Sequence, residues 1–139
     1  MGGATPSIGL RIELLGRFRV SVGGRAVADD VWHRRKPAAV VKLLALAPGH
    51  RIHRERVMDA LWPELDASAA GANLRKALHH ARSALDDVGS GAGALVRSAG
   101  DVLTLDAAGL SLDVELFRSL LAAARRARDV DEYRRAPTA

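Results

Sequence analysis

Residues 68–87, SAAGANLRKALHHARSALDD, followed at 95–105 by LVRSAGDVLTL, decide how this chain is read. In the first stretch Leu74, Leu78, Ala81 and Leu85 recur at i, i+4, i+7 and i+11, which places one apolar stripe along a helix. At 100° per residue the opposite face carries Ala72, Asn73, Lys76, His79, His80 and Ser83, with Arg75 and Arg82 on its flanks. That face is basic or hydrogen-bonding and meets no acid before Asp86 and Asp87, whereas an ordinary solvated face mixes signs. In the second stretch Leu95–Arg97 and Val102–Leu105 flank the short turn Ser98–Asp101, the pattern of a β-hairpin. The linker from Val88 to Gly93 is rich in glycine.

Two more helices precede this pair. Pro37 suits a first helical turn, and Val40, Val41, Leu43, Leu44 and Leu46 follow it until Pro48-Gly49 stops the helix. A second helix is expected from about His53 to Trp62, with Val57, Met58, Leu61 and Trp62 inward and Pro63 ending it. Further upstream the period is two. Ile8, Leu10, Ile12 and Leu14 alternate with polar or small residues, Leu15-Gly16 breaks the run, and Phe18, Val20 and Val22 resume it. Gly23-Gly24 supplies a tight turn and Arg25–Val27 a short return, so a small antiparallel sheet is expected. After the hairpin, Asp113–Arg128 is amphipathic, with Val114, Leu116, Phe117, Leu120, Leu121 and Ala124 apolar and no visible packing partner.

Sheet, three helices and hairpin give an α+β chain. The order is that of a winged helix-turn-helix with an N-terminal antiparallel sheet and a C-terminal wing hairpin. The 139 residues, 48% apolar and 27% charged, are the composition of a soluble globular chain with a real core. No apolar run approaches the roughly 20 residues of a membrane span, and no secretory signal is visible in residues 1–7. Without cysteine, disulfide scaffolds, thiolate metal sites and cysteine nucleophiles are excluded. A cytoplasmic location is expected. The net charge of +5, nearly all from arginine, favours a polyanionic partner.

The chain resembles the DNA-binding region of the Streptomyces antibiotic regulatory protein (SARP) family, whose winged helix is of the OmpR type. The resembling stretches are LRIELLGRFRV at 10–20, RRKPAAVVKLLALA at 34–47, RERVMDALWP at 54–63 and ANLRKALHHARSAL at 72–85. LDVELF at 112–117 is similar to the start of the helical bacterial transcriptional activation domain that follows in this family. The third helix departs from the family at Ala81 and Ser83, where Leu and Arg are frequent. The resemblance implies a winged-helix domain over residues 8–107 and the first helix of a truncated activation domain over 110–139. It also implies a transcription activator that binds direct repeats on double-stranded DNA, as a dimer or in tandem, and recruits RNA polymerase.

Candidate DNA contacts follow from the exposed face of the third helix. Lysine donates to guanine O6 and N7 and asparagine pairs with adenine, so Lys76 and Asn73 suit base edges, with His80 and Ser83 beside them. Arg75 and His79 could reach phosphates from the flanks, while Arg82 is better read as an internal partner that covers apolar surface. Arg34, Arg35 and Lys36 precede the first helix, where cations oppose the macrodipole, which suggests phosphate contact as well as a merely solvated loop. Arg97 and the turn after it form a candidate wing tip for a minor groove. His79 and His80 point about 100° apart and cannot easily share an ion, so no metal or other cofactor is expected. Trp32 and Trp62 read as packing residues. With 4% aromatics there is no stacking platform for single strands.

Catalysis finds no support. None of the three lysines follows a glycine, as a phosphate-binding loop would require, and neither GxGxxG nor HExxH occurs. Two classes therefore remain. One is a sequence-specific double-stranded DNA binder. The other is a protein-interaction module that docks through the amphipathic helix at 113–128.

Overall fold

The computed structural model describes residues 9–33, 35–106 and 108–135. Ile8 and Arg34 lie outside the described residues.

Strand β1 (Leu10–Glu13) pairs antiparallel with β2 (Arg19–Val22), setting Ile12 opposite Val20, and β2 pairs in turn with β3 (Arg25–Ala26). Period-two alternation fixes the register: Leu10, Ile12, Val20 and Val22 are buried while Arg11 and Arg19 face solvent. The β2–β3 turn needs two residues at positive φ, and Gly23 and Gly24 stand at 56° and 82°.

Helix α1 spans Arg35–Leu46, two residues earlier than the expected start at Pro37. Pro37 is still in the first turn, where a missing N–H breaks no internal hydrogen bond, so residues before it can also be helical. Leu46 was expected to follow the apolar face but is 52% exposed, because Val40, Val41, Leu44 and Ala45 already fill the inward side. The chain then turns through Gly49 and His50, both at positive φ, into β4 (Arg51–His53). Helix α2 (Arg54–Leu61) starts on His53, whose Nδ1 accepts from the Glu55 N–H at 3.3 Å. Helix α3 (Ala67–Asp86) starts on Asp66, which accepts from the Ala69 N–H at 2.8 Å. Leu74, Leu78, Ala81 and Leu85 are all buried, and α3 packs on both α1 and α2.

The hairpin is β5 (Val96–Ala99) and β6 (Val102–Leu105), turning at Gly100-Asp101. It has a third strand that the sequence reading lacked. β4 pairs with β6, Ile52 opposite Leu103, giving the order β4-β6-β5. Three residues of mixed character leave too short a pattern to reveal a strand.

The first sheet also has an unforeseen member. β7 (Leu110–Leu112) runs parallel to β1, so the order is β3-β2-β1-β7 and the sheet is mixed, not antiparallel throughout. Leu112 is 4% exposed and belongs to the core. The boundary between 107 and 110 therefore does not separate two hydrogen-bonded units, since residues 110–112 complete the N-terminal sheet. Helix α4 (Asp113–Arg135) follows, longer than the expected 113–128. Its first residue holds it to the sheet: the Asp113 carboxylate accepts from the Leu14 and Leu15 N–H groups at 2.8 and 2.9 Å. Leu116 and Leu120 are each 62% exposed, and Leu121 is exposed as well.

Candidate nucleic-acid interface

Two stretches distant in sequence meet beside α3. The N-terminal turn of α1 brings Arg35, Lys36 and Pro37 against Asn73, Lys76, Ala77 and His80 of α3, and Trp62 contributes the floor. The resulting groove encloses about 340 Å³ and, among the described residues, has no carboxylate in its lining. Trp62 is buried because α2 ends there: its N–H closes the last turn on the Met58 carbonyl and its ring enters the core. Lys36 lies over that ring, 5.6 Å from the centroid, and its Nζ donates to the Leu61 carbonyl at 2.5 Å. A cation at the carboxyl end of α2 is well placed for that helix's dipole. This gives Lys36 a structural reason to stand where it is locally unfavourable for α1, a reason that is invisible from its own helix.

The remaining candidates spread around α3. Lys76, His79 and Ser83 are exposed, whereas Asn73 and His80 are half-buried. The His79 and His80 rings lie 5.7 Å apart, tilted by 60°. Arg82 turns inward: its Nε donates to the Val96 carbonyl at 2.9 Å and its Nη2 to the Ser98 hydroxyl at 3.1 Å. It therefore ties β5 to α3, the internal role the sequence favoured. Arg97 sits within β5, not in the Gly100-Asp101 turn, and its guanidinium meets Asp106 at 2.8 Å. Pairing across the base of the hairpin accounts for that side chain without a ligand. Arg75 lies on the other flank of α3, near Gly71.

Sequence reasoning missed Arg54, the first residue of α2, whose backbone N–H donates to the Asp101 carbonyl at 2.7 Å and so fixes the hairpin turn to that helix. It is half-buried and lines a second groove, with Arg75. Only the packing of α2 on α3 could have shown it, since nothing in the local pattern sets Arg54 apart from Arg51 or Arg56.

Fold and groove together define a class: a three-helix core with a β-hairpin beside its third helix, whose outer face gathers cations. The chain is similar to EmbR of Mycobacterium tuberculosis, solved in complex with a low-affinity phosphopeptide, with a TM-score of 0.57 and 22% identity. The likeness covers 70% of this chain and 25% of EmbR, so it extends over a quarter of that protein and concerns the fold. No family model matches the sequence, and no curated protein matches it.

Proposed function

We propose that this chain is the sequence-specific, double-stranded DNA-binding part of a transcription regulator, with α3 in the major groove. The observation that carries this reading is the groove in which Arg35 and Lys36 of α1 join Asn73, Lys76 and His80 of α3, with no carboxylate among its described lining residues. A helix that presents hydrogen-bonding and cationic groups, with further cations alongside, can read base edges while phosphates fix its register. The likeness to EmbR in fold and the resemblance in sequence support the same reading. From the resemblance come the finer parts of the proposal: an activator, direct repeats as target, paired protomers on DNA and recruitment of RNA polymerase, acting in the cytoplasm that the composition leads one to expect. The chain uses no cofactor in this role and performs no catalysis.

Selection of bound duplexes from a random double-stranded library at two salt concentrations tests the proposal. Enrichment of a repeated motif is the expected result. Recovery without enrichment would reduce the function to non-specific binding, and no recovery at low salt would remove DNA altogether. A second reading rests on Leu116 and Leu120, exposed side by side on α4: docking of a partner protein through that helix. Apolar docking would weaken little with salt, whereas counterion release makes DNA binding fall steeply.

A further inference from the structure

Helical arithmetic divides α3 into three lengthwise strips. Asn73, Lys76, Ala77 and His80 border the groove shared with α1. Ala70, Gly71 and Arg75 border a separate groove of about 460 Å³ formed with α2 and the hairpin turn. At 100° per residue, the solvent-facing strip of Ala72, His79 and Ser83 runs between these two borders.

The second groove holds an unusual pair. Arg54 Nη2 and Arg75 Nη1 stand 3.6 and 3.9 Å from the point where a Cβ on Gly71 would be, so two guanidinium groups converge on one spot. Glu55, Asp59 and Asp101 also line this groove, yet among the described residues neither arginine forms an ion pair or side-chain hydrogen bond with them. Two guanidinium groups turned toward one point, neither in a described ion pair with the carboxylates of the groove, form a fork for an anion supplied from outside. The bordering carboxylates disfavour a freely diffusing anion. A phosphate carried in by a polymer already held through α3 overcomes that repulsion.

We infer that Arg54 and Arg75 together seat one backbone phosphate of duplex DNA, on the strand opposite the one that meets Arg35, so that α3 is gripped from both walls of the major groove. This rests on the DNA-binding reading above and adds a residue, Arg54, and a strand assignment to it. A major groove about 12 Å wide admits one helix, with a phosphate wall on each side of it. Cations on both borders of α3 match that geometry.

The test uses the whole 139-residue chain and a duplex it binds. Arg54→Ala/Arg75→Ala is expected to lose roughly tenfold in affinity, the scale of a lost charge-assisted contact, and to flatten the log–log salt slope by about 1. Arg125→Ala/Arg126→Ala, the same loss of two charges on exposed α4, is expected to change neither. Arg54→Lys/Arg75→Lys controls for folding: it keeps the slope and loses affinity, because ammonium groups cannot reproduce the fork. Methylphosphonate substitution, one phosphate at a time, then locates the contact. One neutralised phosphate should weaken the wild type but not the double alanine variant, and it should lie on the strand opposite the phosphate to which Arg35→Ala becomes insensitive. If the double variant binds with the wild-type affinity and slope, or if both phosphates fall on one strand, the two-walled grip is wrong while DNA binding stands. If the wild type retains no duplex at low salt, both readings fall together.

Discussion

Gly93 shows how tightly one residue can be specified. Its backbone passes so close to the end of α3 that a Cβ would lie 2.7 Å from the Arg82 carbonyl oxygen and 2.9 Å from the Asp86 carboxylate. Asp86 already accepts from the Gly93 N–H at 2.7 Å, so neither neighbour can move without losing a contact. Gly93→Ala should therefore cost about 1–3 kcal/mol by overpacking, read as a lower urea midpoint at unchanged m. Lys76 makes the opposite case. It is exposed, and among the described residues it has no ion pair, so its removal should leave stability nearly unchanged. On DNA, Lys76→Ala should cost about 1–3 kcal/mol and relax preference at one or two base pairs. A uniform loss across all sequences would mark Lys76 as a phosphate contact.

At the scale of elements, the junction between β1 and α4 has its own pH dependence. Partial desolvation raises the Asp113 pKa, but the N–H groups of Leu14 and Leu15, with those of Val114 and Asp113 itself, outweigh it and hold the carboxyl below its ordinary value. A group depressed on folding contributes stability that is fully present above its unfolded pKa, near 3.9, and lost as pH falls through the lowered folded value. Protection of the Leu14 and Leu15 amides, read as exchange relative to the intrinsic rate at each pH, should fall over that acidic range in the wild type, and Asp113→Asn should remove that change in protection. The same junction marks where sequence patterning stopped being informative. The long periodic elements, α3 with its Leu74–Leu85 stripe and β1–β2 with their alternation, were legible because many residues vote together. β4 and β7 were not, since three residues give no period and their pairing partners lie far along the chain. The site divided in the same way. Spacing alone finds Lys76, His79 and Ser83 on the exposed face of α3, whereas the half-burial of Asn73 and His80 beside α1, the place of Arg54 and the use of Lys36 to cap α2 depend on how separate helices pack.

For the molecule as a whole, the question is how far the cooperative unit extends. The resemblance implies a domain boundary between 107 and 110, and a chain that folded in two units there would need nothing of 110–139 to fold the first. The first sheet gives a different answer. β7 covers the free edge of β1 over three residue pairs, Leu10 to Ile12 against Leu110 to Leu112, and buries Leu112 in the main core. A chain ending at 107 would leave that edge unpaired and uncover the apolar surface beneath Leu112. Full burial of a leucine side chain is worth about 1.5–3 kcal/mol, and the lost ladder hydrogen bonds add to it. Against a typical total of about 5–15 kcal/mol, such a loss is large. A chain ending at Arg118 keeps β7 and the Asp113 cap while discarding Leu120 and Leu121, which are exposed and contribute little burial. Denaturant titration of the two truncations should therefore show near wild-type stability for the longer one. The shorter should be less stable by at least about 2 kcal/mol, the contribution of Leu112 alone. Equal stability of the two would restore the boundary at 107 and make β7 an ornament of α4. A stepwise transition in the full chain, with the 1–107 part unaffected, would lead to the same conclusion from the side of cooperativity.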